Sequence, residues 1–117
     1  MTRVTFFKRS DGAILGFTAE GHADWAEYGQ DIVCAAISAL TQSTAMGVTE
    51  VVGAKAKVEQ KSGHLSVTLD DSESEETLQC AQYLLRTLEK ALYGIAGDAR
   101  YPGVLRVNVR ERRQKHA

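Results

Sequence analysis

Two β-type runs flank Arg9-Ser10-Asp11-Gly12, and this pairing constrains the fold more than any other feature of the 117 residues. Asp-Gly accepts the backbone angles that a tight hairpin needs. Val4 to Lys8 and Ala13 to Glu20 therefore predict two antiparallel strands. Phe6 alternates with Thr5 and Phe7, while Leu15, Phe17 and Ala19 share one strand face. A second hairpin is predicted around Ser62-Gly63, from Ala54 to Lys61 and from His64 to Asp70. There Ala54, Ala56 and Val58 alternate with Lys55, Lys57 and Glu59, and Leu65, Val67 and Leu69 alternate with Ser66 and Thr68. One face of that hairpin is expected in the core and the other in water.

Each hairpin is followed by a helical pattern. With Asp31 as N-cap, a helix is expected from Ile32 to about Val52, stopped by Gly53. Its apolar positions Val33, Ile37, Leu40, Met46 and Val51 are broadly spread, and Ala35, Ala36, Ser38 and Ala39 are small. That pattern predicts burial on more than one side. Ser72 and Glu75 match a capping box for a second helix, whose stripe is Leu78, Ala81, Leu85, Leu88 and Leu92. Gly94 and Gly97 end it, and beyond Pro102 a last strand runs from Val104 to Arg110. The order is ββαββαβ. The expected class is α+β, a mainly antiparallel sheet with two helices packed on it.

The length suits one domain, taken as residues 1–110, with 111–117 a basic C-terminal tail. The net charge of −1 gives no electrostatic case for nucleic-acid binding. Charge is uneven, however. The acidic run Asp70 to Glu76 suits a helix start, and the basic end from Arg110 to His116 suits a solvated tail that can touch RNA. No unbroken run of 18 apolar residues occurs, so no membrane span is expected. Met1 to Lys8 lacks the apolar core of a signal peptide, so a cytoplasmic location is expected. The two cysteines, Cys34 and Cys80, are then free thiols. With His22, His64 and His116 they show no metal-ligand spacing, so neither metal nor other cofactor is expected.

Chemistry concentrates at one place. His22 follows Gly21 at a strand end, and Cys34 falls in the first turn of the first helix. A helix start offers free N–H groups and a partial positive charge, both of which favour a thiolate. A neighbouring imidazole can take the thiol proton. The intervening loop, 23–30, is short enough to bring the two side chains together. A buried structural cysteine and a hydrogen-bonded turn histidine are the non-catalytic alternatives. Asp31 is either a plain N-cap or a carboxylate that orients His22. Ser38, four residues after Cys34, shares its helix face and is placed to donate a hydrogen bond to the thiolate or to a substrate; otherwise it is a small packing residue. Trp25, Tyr28 and Gly29 form a pliable loop that either closes over a peptide or covers the core edge. Cys80 and His64 have no such context.

The elements Glu20-Gly21-His22-Ala23 and Gly29-Gln30-Asp31-Ile32-Val33-Cys34-Ala35-Ala36-Ile37-Ser38 resemble the ribosomal-processing cysteine proteases of the Prp family. The ββαββαβ order, Thr41-Gln42-Ser43 after Leu40 and the acidic start of the second helix extend the likeness over most of the chain. The resemblance implies a cysteine endopeptidase that removes a short N-terminal extension from a large-subunit ribosomal protein precursor, after an aromatic pair and before a small residue. It implies Cys34 as nucleophile and His22 as general base and acid, with Gly21, Asp31 and Ser38 in supporting positions. It also implies a homodimer and a mobile loop between the catalytic pair. The competing expectations are a non-enzymatic ribosome-assembly or precursor-binding module of this fold, or another thiol-dependent hydrolase or acyltransferase.

Overall fold

The computed structural model describes residues 1–21 and 30–112, with only the backbone of Gln30 and Asp31. Among these residues the order is β1 (Thr2–Lys8), β2 (Ile14–Glu20), α1 (Gln30–Met46), a π-helical turn (Gly47–Val51), β3 (Ala56–Lys61), β4 (His64–Leu69), α2 (Glu75–Ala96) and β5 (Leu105–Glu111). The strands form one mixed sheet in the order β3-β4-β2-β1-β5. Three of its pairings are antiparallel and one, β1 with β5, is parallel. The expected α+β class is the observed one. The tail beyond Arg112, residues 113–117, lies outside the described residues.

Strand register explains why one face of the sheet carries the core. Val4 is opposite Ala19, Phe6 opposite Phe17, and Phe17 opposite Val67. Apart from the half-buried Ala19, these residues, with Leu65, Leu69 and Leu105, are buried and face the helices. Phe6 and Phe17 are fully buried, with ring centroids 6.0 Å apart at 42°. Each such ring contributes about 1.5–3 kcal/mol through area removed from water. The opposite face alternates to Arg3, Thr5, Thr18, Glu20, Ser66 and Arg106, which are exposed or half-buried. A bulge makes β2 depart from strict alternation. Phe7 pairs with Gly16 but Lys8 pairs with Ile14, so Leu15 is the extra residue, and both Ile14 and Leu15 are buried. Ile14 loses ladder partners there, and Gln82 of α2 supplies them. Its Oε1 accepts from Ile14 N–H at 2.6 Å and its Nε2 donates to Ile14 O at 2.9 Å.

Helix α2 matches its sequence stripe: Leu78, Ala81, Leu85, Leu88 and Leu92 are all buried. Its cap is Ser74, not Ser72. Ser74 Oγ accepts from Thr77 N–H at 3.2 Å. Ser72 is engaged by Asp70, whose Oδ1 accepts from both its N–H and its hydroxyl, at 2.9 and 3.0 Å. These hydrogen bonds hold the Asp70 carboxyl below its usual range. Gly94 does not end the helix; Gly97 does. Replacing Ser74 with alanine is expected to cost about 1 kcal/mol, read as a lower chemical-denaturation midpoint with unchanged slope. The same change at Ser72 should cost less, because that residue caps no helix.

Helix α1 corrects several expectations. It begins at Gln30, so Asp31 lies inside the first turn rather than at the N-cap. It is buried on one side only. Val33, Ile37 and Ala45, with Val48 of the π-helical turn, face the core, whereas Ile32, Met46 and, in that turn, Val51 are 61, 52 and 81% exposed. Both helices lie on the same sheet face, and nothing among the described residues covers the outside of α1. The segment Ile32–Val51 has mean hydropathy 1.4, long and apolar enough by length and composition to cross a membrane. No unbroken apolar run foretells this, because its alanines offset the serines and threonines that interrupt it. Gly47 allows α1 to approach α2: a Cβ there would lie 2.9 Å from Leu84 Cδ1. Val58 is 43% exposed, against expectation, and β3, which carries it, is the edge strand of the sheet.

Candidate active site

The end of β2, the first half of α1 and the β3–β4 hairpin enclose a cleft of about 350 Å³. Cys34, Ser38 and Gly21, three of the residues singled out by sequence, all line it. Cys34 is half-buried and unpaired with any other cysteine, while Cys80 on α2 is exposed and away from the cleft. His22, Trp25, Tyr28 and Gly29, and the side chain of Asp31, lie outside the described residues.

Gly21 is fixed by its backbone. Its φ is +100°, a conformation that L side chains rarely adopt. An added Cβ would meet Met1 O at 2.5 Å. Its N–H donates to Gly63 O at 3.0 Å, which ties the end of β2 to the β3–β4 turn. The residue before His22 is thus held from two sides, and the chain leaves the sheet at the mouth of the cleft.

Helix α1 delivers Cys34 from the other wall. Because the helix starts at Gln30, Cys34 is its fifth residue, two residues deeper than the sequence suggests. The unshared N–H groups of the first turn lie on residues ahead of Cys34, not on Cys34 itself. They are placed to receive negative charge beside the sulfur, while the dipole acts on the sulfur from a turn away.

Sequence reasoning missed the remaining walls. Gln60 is opposite Leu65 in the register, so it shares the helix-facing side of β3 and closes the cleft at the sheet edge. His64, expected to be simply exposed, lines the rim, with Nδ1 3.3 Å from Glu20 Oε1 and its side chain 28% exposed. Gln42 lies on α1 two turns beyond Cys34, and its Nε2 donates to Ser38 Oγ at 2.8 Å. The spacing 34, 38, 42 is a signal for that stripe visible in the sequence; Gln60 and His64 arrive only through strand pairing. Among the described residues no group of His, Cys, Asp and Glu is placed to hold a metal ion.

A half-buried thiol near a helix start, in a peptide-sized cleft with hydroxyl and amide donors on its walls, is what a thiol-dependent hydrolase needs. The comparisons give that class its family. A sequence model described as cysteine protease Prp matches residues 1–103, so this chain belongs to the Prp family of cysteine proteases. The ribosomal processing cysteine protease Prp of Bacillus subtilis (strain 168) is 31% identical over 109 residues, covering 92% of this chain and 96% of the relative. The Staphylococcus aureus (strain Mu50 / ATCC 700699) protein of the same name is 27% identical over 110 residues, covering 92% and 98%. A crystal structure of the S. aureus ribosomal processing protease Prp with a covalently linked product peptide superposes with a TM-score of 0.76 at 27% identity, covering 94% of this chain and all of that one. SMU.848 from Streptococcus mutans shares the fold, with a TM-score of 0.76 at 23% identity over 96% of this chain and 99% of that one.

Proposed function

We propose that this cysteine protease removes a short N-terminal extension from a large-subunit ribosomal protein precursor, with Cys34 as nucleophile and His22 as the proton-transfer group. The observation that carries the reading is the position of Cys34. It stands on the wall of a cleft whose opposite lip is Gly21, the residue immediately before His22. The relatives are ribosomal processing proteases, and one was captured with a product peptide attached covalently, which fits a peptidase passing through a covalent intermediate.

In this reading His22 takes the thiol proton as sulfur attacks the scissile carbonyl. Free N–H groups at the start of α1 receive the developing oxyanion. His22 then protonates the leaving amine and afterwards activates the water that releases the acyl group. Asp31, in the first helical turn, orients the imidazole, and Trp25, Tyr28 and Gly29 close over the peptide to exclude water. The outer face of α1 and the π-helical turn after it, with Ile32, Met46 and Val51 exposed, supports a homodimer, since such apolar area is usually covered by a partner.

The test is a synthetic peptide carrying an aromatic pair followed by a small residue, within the extension and the start of the mature protein. Two product masses summing to the substrate plus water are expected. The His22→Ala variant should lower turnover by about 10²-fold or more, in the range of lost general acid–base catalysis. An intact peptide after prolonged incubation, or full turnover by His22→Ala, would refute the assignment.

A further inference from the structure

We propose that the open face of the sheet, along β1 and β5, binds a single-stranded nucleic acid. The inference does not depend on the reading of Cys34, which belongs to the helix-covered side.

Strand register assembles the surface. β5 runs parallel to β1, with Arg106 beside Arg3, Asn108 beside Thr5 and Arg110 beside Phe7. The residues between them, Leu105, Val107 and Val109, alternate to the helix-facing side with Val4 and Phe6. Arg3, Arg106 and Arg110 are exposed. Among the described residues none of these three makes a hydrogen bond or an ion pair. Arg112, next in the alternation, lays its guanidinium 4.0 Å from the centre of the Phe7 ring. Two adjacent strands thus present arginines on the side that, among the described residues, no helix covers.

Carboxylates do not neutralise this surface. Glu111 alternates to the helix-facing side, beside Lys8. Glu20 is opposite Arg3 on β2, but its Oε1 lies 3.3 Å from His64 Nδ1 and it forms no ion pair with Arg3. Arg3 and Arg106 neighbour one another directly, and such a pairing of like charges disfavours the sheet until an anion comes between them. The net charge of −1 conceals this face, because acidic residues gather elsewhere, as in the run from Asp70 to Glu76.

The chemistry of the surface favours a nucleic acid over an acidic protein. Its cations are arginines, whose planar fork matches a phosphate in two hydrogen bonds. Thr5, Thr18 and Asn108 stand among them with hydroxyl and amide groups suited to sugars and base edges. The Arg112 guanidinium on Phe7 is a flat platform on which a base can stack. An acidic peptide would use the charges and leave that platform without a role. An unpaired strand can lay its bases on an open sheet, whereas the bases of a duplex are already stacked on one another.

The experiment follows the fluorescence anisotropy of a labelled single-stranded RNA of mixed sequence, about ten nucleotides long, as the full chain is titrated in. Saturable binding that weakens with salt is expected. The logarithm of the association constant should fall against the logarithm of salt concentration with a slope of about −2 to −3, as for three or four phosphates on a single strand. Arg106→Gln with Arg110→Gln, both at exposed positions, should weaken binding by about tenfold and bring the slope closer to zero by about 1.4. Lys57→Gln with Lys61→Gln removes the same charge from β3, four strand spacings or about 19 Å away, and should change affinity by less than about twofold. Arg112→Lys keeps the charge and loses the plane, so affinity should fall about threefold at an unchanged slope. The Cys34→Ala protein should bind the RNA as the wild type does. Absence of binding at low salt, an equal loss from the lysine pair, or full affinity in Arg112→Lys would overturn the proposal. So would polyglutamate competing as well as unlabelled RNA, which would make an acidic protein the partner.

Discussion

Replacing Cys34 with alanine is expected to abolish peptide cleavage while leaving the melting temperature within a few degrees of the wild type. The loss of activity follows from chemistry. No other thiol lines the cleft, Cys80 being exposed on α2, and a cysteine protease without its sulfur has no atom to form the acyl bond. The modest effect on stability follows from burial. Cys34 is only half-buried and is followed by the exposed Ala35 and Ala36, so truncation leaves no closed cavity to penalise the fold. Cleavage of the extension peptide followed by mass spectrometry, with circular dichroism of the same sample, reads both halves. Cleavage retained by pure Cys34→Ala protein would move the nucleophile elsewhere. A collapsed melting curve would mean that Cys34 is chiefly structural.

Gly21→Ala should injure both activity and stability. The φ of +100° strains any L residue, and the new methyl would fall 2.5 Å from Met1 O, a backbone atom that cannot rotate aside. Strain of this kind costs about 1–3 kcal/mol. For a domain of this size it should lower the melting temperature by about 5 °C or more. The kinetic cost is expected to be larger than stability alone explains. Gly21 is bonded to Gly63 O and sets where the chain carrying His22 leaves the sheet, and a displacement of about 1 Å near reacting groups can cost 10²-fold in rate. The check is to compare kcat/KM well below the variant's melting temperature, where all molecules are folded. A variant that melts early but turns over normally would show that Gly21 matters for folding and not for placing His22.

Much of the fold is legible in the residues because its elements carry strong periodic signals. The Asp11-Gly12 hairpin, the Leu65-Val67-Leu69 alternation and the α2 leucine stripe each specify an element and its buried face. What escaped reading depends on contacts between elements. The parallel pairing of β1 with β5 and the placing of β3 at the edge are outcomes of sheet order, and the latter leaves Val58 exposed despite its alternation. The cap of α2 lies two residues beyond the expected one because Ser72 and Ser74 both look like caps, and only the turn at Asp70 decides between them. At the site, Cys34, Ser38 and Gly21 were legible as helix and strand-end positions that meet in one cleft. Gln60 and His64 were not, since they reach it through the β4 register.

The edge position of β3 has a consequence for how this protein behaves in concentrated solution. A bare strand with free peptide groups invites another chain to dock along it and begin a fibril. Here the outer alternation reads Lys57, Glu59, Lys61. If two copies stack in parallel register, lysine faces lysine and glutamate faces glutamate. If they stack antiparallel about Glu59, Lys57 meets Lys61 and the glutamates again meet each other. Like charges set directly opposite disfavour a ladder, so the strand's own lettering repels its twin and keeps this rim open without a cover.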